Sequence, residues 1–226
     1  MTSLAPDTIT DAGTPAGRPL WRAAGVALIA GPLLLLAGML TSPPQNSDAA
    51  ADYVASLARD GFVTQLSAIL LHYGLIAGAL GALAVPGLVR GRRGRWPVLL
   101  GAPASALGML NVSGAVRDDW WVMVTGQQLP KEVALRVFDT VSGSSFMPLW
   151  SGTEMLAFLG LLALSIGLAR AGVAGWWLTV VFVGAFAGMT VIPVDLTYLA
   201  GVVFAVLFLP LAVAGVLICR NRRSGR

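Results

Sequence analysis

The sequence has almost none of the residues that carry catalysis or hold metals. It contains one cysteine, Cys219, and one histidine, His72. A single cysteine excludes an internal disulfide and any multi-cysteine metal site. A single histidine excludes the paired-histidine HExxH zinc motif. It also leaves haem without a second axial histidine. No GxSxG elbow, Walker A loop or CxxC occurs, and Gly143-Ser144-Ser145 reads only as a serine-containing turn. No metal and no cofactor are expected. Charge is scarce as well. Only 12% of the 226 residues are charged, where a soluble domain has about 25%.

What is present is apolar. The chain is 56% hydrophobic, and its mean hydropathy is +0.77. It holds 27 glycines, many inside apolar runs, where they let helices approach closely in lipid. The net charge of +4 would point to nucleic acid only if its placement were ignored. The arginines flank apolar runs and lack the interleaved aromatics of a single-strand binder. No nucleic-acid partner is expected. Anionic lipid headgroups on the cytoplasmic side are the better fit.

Arg90, Arg92, Arg93 and Arg95 lie between two long apolar stretches. A membrane protein places such a loop in the cytoplasm. From it the rest of the chain is read as a flexible cytoplasmic tail over 1–19, a transmembrane domain over 20–219 and a basic cytoplasmic tail over 220–226. The fold class predicted is all-α, a polytopic transmembrane bundle of six helices. The spans are expected near 23–40, 62–89, 97–116, 148–169, 173–192 and 196–219. Pro86-Gly87 should break the inner end of the second. Two short amphipathic helices are expected on the outer face. One is capped by Ser47 or Asp48 and ended by Gly61. The other lies within LPKEVALRVFDTV, with Val133, Val137 and Val141 as its apolar stripe.

The charge tally orients this arrangement. Arg18, Arg22, Arg90, Arg92, Arg93, Arg95, Arg170, Arg220, Arg222, Arg223 and Arg226 fall on one side. Arg59, Arg117, Lys131 and Arg136 fall on the other. Both termini are then cytoplasmic. Trp21, Trp96, Trp176 and Trp177 form one interfacial belt, and Trp120, Trp121 and Trp150 form the other. The compartment implied is a bacterial inner membrane. The halves of the chain share no evident sequence similarity, so an inverted-repeat transporter is not expected.

Small residues mark candidate packing faces. The second span carries Gly74, Gly78 and Gly81, and the fifth carries Gly184 and Gly188. The third has Gly101, Ala104, Ser105 and Gly108. Contacts inside one bundle account for them, with a homodimer seam as the alternative.

A polar residue within a span is a functional candidate. His72 lies in the second span, with Gln65 on nearly the same face. Glu154 lies early in the fourth, Asn111 late in the third with Arg117 just above it, and Asp195 in an outer turn. The reading from the sequence is that His72, Glu154 and Asp195 converge on one outward-facing polar pocket, with Asn111 and Arg117 near its rim. The alternative is that each is satisfied separately, by a backbone carbonyl, a water or a headgroup.

RAAGVALIAG opening the first span, DAAADYVASLARDGF before the second and GLARAGVAGW between the fourth and fifth carry a resemblance. Over most of residues 20–219 the chain resembles small six-helix integral membrane proteins of bacteria, of actinobacterial type. The resemblance implies a fold and no activity. The function expected is that of an accessory or scaffolding membrane protein, with a membrane protein or a second copy as partner. A small-solute carrier or channel is the first alternative, and a membrane-embedded enzyme the second.

Overall fold

The computed structural model describes residues 17–220. The terminal stretches 1–16 and 221–226, with Arg222, Arg223 and Arg226, lie outside the described residues. All regular structure among the described residues is helical. The long helices are α1 (Gly17–Leu40), α3 (Gly61–Ala82), α4 (Arg95–Val116) and α7 (Met147–Arg170). The shorter ones are α2 (Ala50–Arg59), α5 (Asp118–Gln128), α6 (Lys131–Ser142), α8 (Trp177–Val191), α9 (Thr197–Leu207) and α10 (Leu209–Arg220). Several long apolar helices make the chain compatible with a multi-span membrane protein.

Six spanning helices are not what the chain forms. Among the described residues four helices are long and apolar enough to cross a membrane, and five if the bent pair α9–α10 is taken as one. The fifth expected span fails on length. Its helix α8 has 15 residues, about 22 Å at 1.5 Å each, against a hydrocarbon core of about 30 Å. The non-helical stretches 171–176 and 192–196 take the rest of that apolar run. The sixth expected span is bent by 45° between α9 and α10. Pro210 follows the break at once, where it can offer no N–H to the preceding turn. The second expected span stops at Ala82, before Pro86, and gives way to a 3-10 helix over Val85–Leu88. The third outruns its expected end. α4 continues into α5 as a helix of 34 residues, about 51 Å long. That is longer than a hydrocarbon core of about 30 Å.

Two glycine seams hold the long helices together. α1 meets α3 where Gly31 faces Gly74. A Cβ on either would lie 3.0 Å from the other's carbonyl oxygen. Gly81 packs on Leu28, and Gly78 on Leu211 and Met109. α4 meets α7 still more closely. A Cβ on Gly101 would lie 2.8 Å from the Gly160 carbonyl, and one on Gly108 2.6 Å from the Ala157 Cα. Such contact supplies the van der Waals attraction that joins helices in lipid, where apolar burial gives no drive. Around these seams Leu28, Leu75, Met109, Leu161, Leu164, Leu168 and Leu211 form a closed core. Gly184 is different. It is exposed on α8 with nothing within 4 Å of a built Cβ, while Gly188, half-buried, meets Val203.

The bundle has two distinct ends. At one, Trp21 lies over Gly87, Gly94 backs onto Gly167 and Ala171, and Gly25 meets Cys219. These contacts gather Arg22, Arg90, Arg92, Arg93, Arg95, Arg170 and Arg220, so α1 begins and α10 ends at this basic end. Gly94 turns the chain there with φ of 73°, a conformation that suits glycine.

A small helical cap closes the other end. Val54 and Leu57 of α2, Val122 and Met123 of α5 and Ala134 of α6 bury one another, with Tyr53, Leu135 and Phe138 packed around them. Both short helices expected there are present, with different details. α2 starts at Ala50 with no side-chain cap, and Ser47 bonds the Asp52 carboxylate instead. Asp60, not expected as a cap, starts α3 by accepting from the Phe62 and Val63 amides at 3.0 and 3.1 Å. On α6 the inward stripe is Ala134, Leu135 and Phe138. The expected apolar stripe, Val133, Val137 and Val141, faces away from it and lines a shallow groove with Arg136 and Thr140. Phe138 wins because its ring buries more surface, against Tyr53 at 5.7 Å between centroids.

Candidate functional site

The residues with chemistry gather where α3 passes the junction of α4 and α5. Ser113, Arg117 and Trp120 stand at i, i+4 and i+7, so they share one face of that continuous helix. Ala68, Ile69, His72 and Tyr73 form the facing stripe of α3. Together they make a notch of about 290 Å³ lined by Ala68, Ile69, His72, Tyr73, Arg117 and Trp120.

Ser113 holds the histidine at its back. The His72 Nδ1 lies 2.7 Å from the Ser113 hydroxyl and 3.1 Å from its carbonyl oxygen. The shorter contact lets the hydroxyl donate to Nδ1, and in that tautomer Nε2 carries the proton. Nε2 is left as the ring nitrogen for a ligand. Tyr73 sets its ring edge-on to the imidazole, 5.2 Å between centroids. Ile69, Tyr73 and Trp120 are 42%, 58% and 38% exposed, so the notch opens sideways from the bundle.

Three consecutive charges point three ways, as 100° per residue requires. Arg117 turns to the notch. Asp118 is exposed to solvent. Asp119 accepts a hydrogen bond from the Tyr53 hydroxyl of α2. Burial, reinforced by the carboxylates of Asp119 and Asp118, holds the Tyr53 hydroxyl far above its ordinary pKa. Tyr53 therefore stays a donor at every physiological pH.

The sequence-predicted residues have separate placements. His72 and Arg117 line one notch. Asn111 donates to the Trp150 carbonyl at 2.9 Å, tying α4 to α7. Glu154 is half-buried on α7, and the hydrogen bonds of His72 run to Ser113 rather than to it. Asp195 is exposed in the turn between α8 and α9, and α9 packs on α1 and α8 rather than on the helices of the notch. Ser113, Tyr73 and the Tyr53–Asp119 pair were not singled out from sequence, and Trp120 was read only as part of an interfacial belt. The 113, 117, 120 spacing was a readable signal for the first face. Nothing local pairs Tyr53 with a residue 66 positions away.

No group of three or more metal-ligating side chains occurs among the described residues. No protein-family model, curated protein or solved structure matches the chain.

Proposed function

We propose that this chain is an accessory or scaffolding protein of a bacterial inner membrane, with its basic end in the cytoplasm and its helical cap outside. What supports this reading above a carrier is the closed interior. The buried polar side chains among the described residues are Ser56, Thr64, Ser67, Ser105, Ser113 and Ser165. Each is held by a neighbour: Ser56 by Pro44, Thr64 by Leu57, Ser67 by Gly38, Ser105 by Ala102, Ser113 by His72 and Ser165 by Leu162. One half-buried hydroxyl, on Thr179, has no partner. A solute crossing this bundle would meet leucine and methionine in place of a polar lining.

The surface for a membrane partner is α8. It turns Val180 and Val191, 69% and 75% exposed, outward with Gly184 and Ala187. A second helix approaches closely where a glycine stands open. The partner is another membrane protein or a second copy of this chain.

Two measurements test the reading. Reporter fusions after Arg95 and after Asp139 are expected on opposite sides of the membrane, with the first in the cytoplasm. The same side for both would sink the orientation. Gly184→Leu is expected to release a co-purifying stoichiometric partner or the second copy, with thermal stability unchanged because the site is open. Solute flux into liposomes by the purified protein alone would overturn the scaffolding role in favour of a carrier.

A further inference from the structure

We propose that the notch between α3 and the α4–α5 junction binds one anionic phospholipid of the outer leaflet, its phosphate held by Arg117 and His72 and its glycerol and upper chain lying on Ile69 and Tyr73. The site is at the right height. Ser113 lies about 27 Å along α4 from Arg95, and Arg117 about 6 Å further. With the arginines at the inner boundary, His72 sits just inside the outer edge of a core of about 30 Å and Arg117 at headgroup level.

The chemistry fits an anion with an apolar body. Arg117 is exposed at the rim and offers a planar fork of donors that matches phosphate oxygens. Ser113 pins His72 through Nδ1, and with its hydroxyl donating there the ring turns Nε2–H out as a donor for a phosphate oxygen. Below the charge, Ile69, Tyr73 and Ala68 give an apolar wall, and Trp120 gives the aromatic edge usual at the interface. The cavity of about 290 Å³ suits a headgroup, with the chains outside in lipid.

The occupant is anionic rather than zwitterionic. No carboxylate lines the notch to receive a headgroup ammonium. Of the two nearest in sequence, Asp119 is turned away to Tyr53, and Asp118 is exposed and does not line the notch. Arg117 itself would repel a choline set against Trp120. This lipid site is on the cap side, so it is distinct from headgroup binding at the cytoplasmic arginines.

The test reads Trp120 alone, as the emission of wild type minus that of Trp120→Phe. Full-length protein in phosphatidylcholine nanodiscs is titrated with phosphatidylglycerol brominated in its upper chains. Saturable quenching of the Trp120 emission is expected. Arg117→Gln, paired with its own Trp120→Phe control, is expected to need about tenfold more lipid, the loss of one charge-assisted hydrogen-bonding partner. Tyr73→Ala, which removes an exposed ring and leaves the core intact, is expected to weaken quenching too. Arg92→Gln at the opposite end is expected to change nothing. Equal quenching by brominated phosphatidylcholine would overturn the proposal, as would an unchanged titration in folded Arg117→Gln. Displacement by inorganic phosphate would also overturn it, because the site would then hold a free ion and not a lipid.

Discussion

Gly160→Val is expected to prevent the bundle from assembling. Even a methyl at Gly160 would fall 2.6 Å from the Ser105 Cα and 2.7 Å from its Cβ, with the Ser105 amide nearer still. These are backbone positions of α4 and cannot swing aside as a side-chain end does. The two helices must separate, and the separation strips contact from Gly101, Gly108 and the core leucines together. Overpacking of this kind costs about 1–3 kcal/mol in soluble cores that can shift. Here the obstacle is main chain on both sides, and a loss of about 4 kcal/mol or more is expected. The measurement is a thermal melt with size-exclusion chromatography in detergent, set beside Gly184→Ala. The open glycine should tolerate its methyl, melting within the scatter of wild type. If Gly160→Val melts like wild type, the α4–α7 seam is wrong.

Tyr53→Phe is expected to loosen the cap and leave the bundle alone. The substitution keeps the ring that packs on Phe138 and removes the hydroxyl that donates to Asp119. The half-buried Asp119 carboxylate then lacks its donor. Hydrogen bonds to charged groups contribute about 1.5–3 kcal/mol, so amide exchange in α2 should speed up by roughly 10-fold to 100-fold. The amides of α1, α3, α4 and α7 should keep their protection. Asp119→Asn retains an acceptor and is expected to have a smaller effect. Unchanged protection of α2 in Tyr53→Phe would show that the pair does not hold the cap.

The difference between the expected and observed spans comes down to the apolar run at 173–192. Hydropathy scores composition, and that run is as apolar as a span. Helix length depends on where the ends bend. Gly172 takes a φ of 69°, the Val173 and Ala174 amides fold back onto the Leu168 carbonyl, and Pro193 stops the far end. What remains is one short helix. The same limit applies to glycine faces. Gly74 and Gly184 stand in similar small-xxx-small patterns, yet one meets Gly31 and the other meets nothing, because the pattern states which face is small and not what lies against it.

The site shows a parallel split. His72 and Arg117 were legible as rare polar residues in or near apolar helices. Their meeting required α3 to run beside the α4–α5 junction at one register. Asp195 had equal local polarity, but it lies in the turn before α9, which packs on α1 and α8.

Composition and charge placement by themselves determined that the chain is helical, apolar and multi-pass in character, and that Arg22, Arg90, Arg92, Arg93, Arg95, Arg170 and Arg220 belong to one end. Those properties follow from residue type and order, since every backbone group in an apolar run must bond within its own helix. The tertiary structure alone decided which helices are long enough to span, which glycines are seams, and which polar groups share a notch. Each of those depends on the distance between residues far apart in the chain, here set by main-chain contact at Gly31, Gly74, Gly101, Gly108 and Gly160.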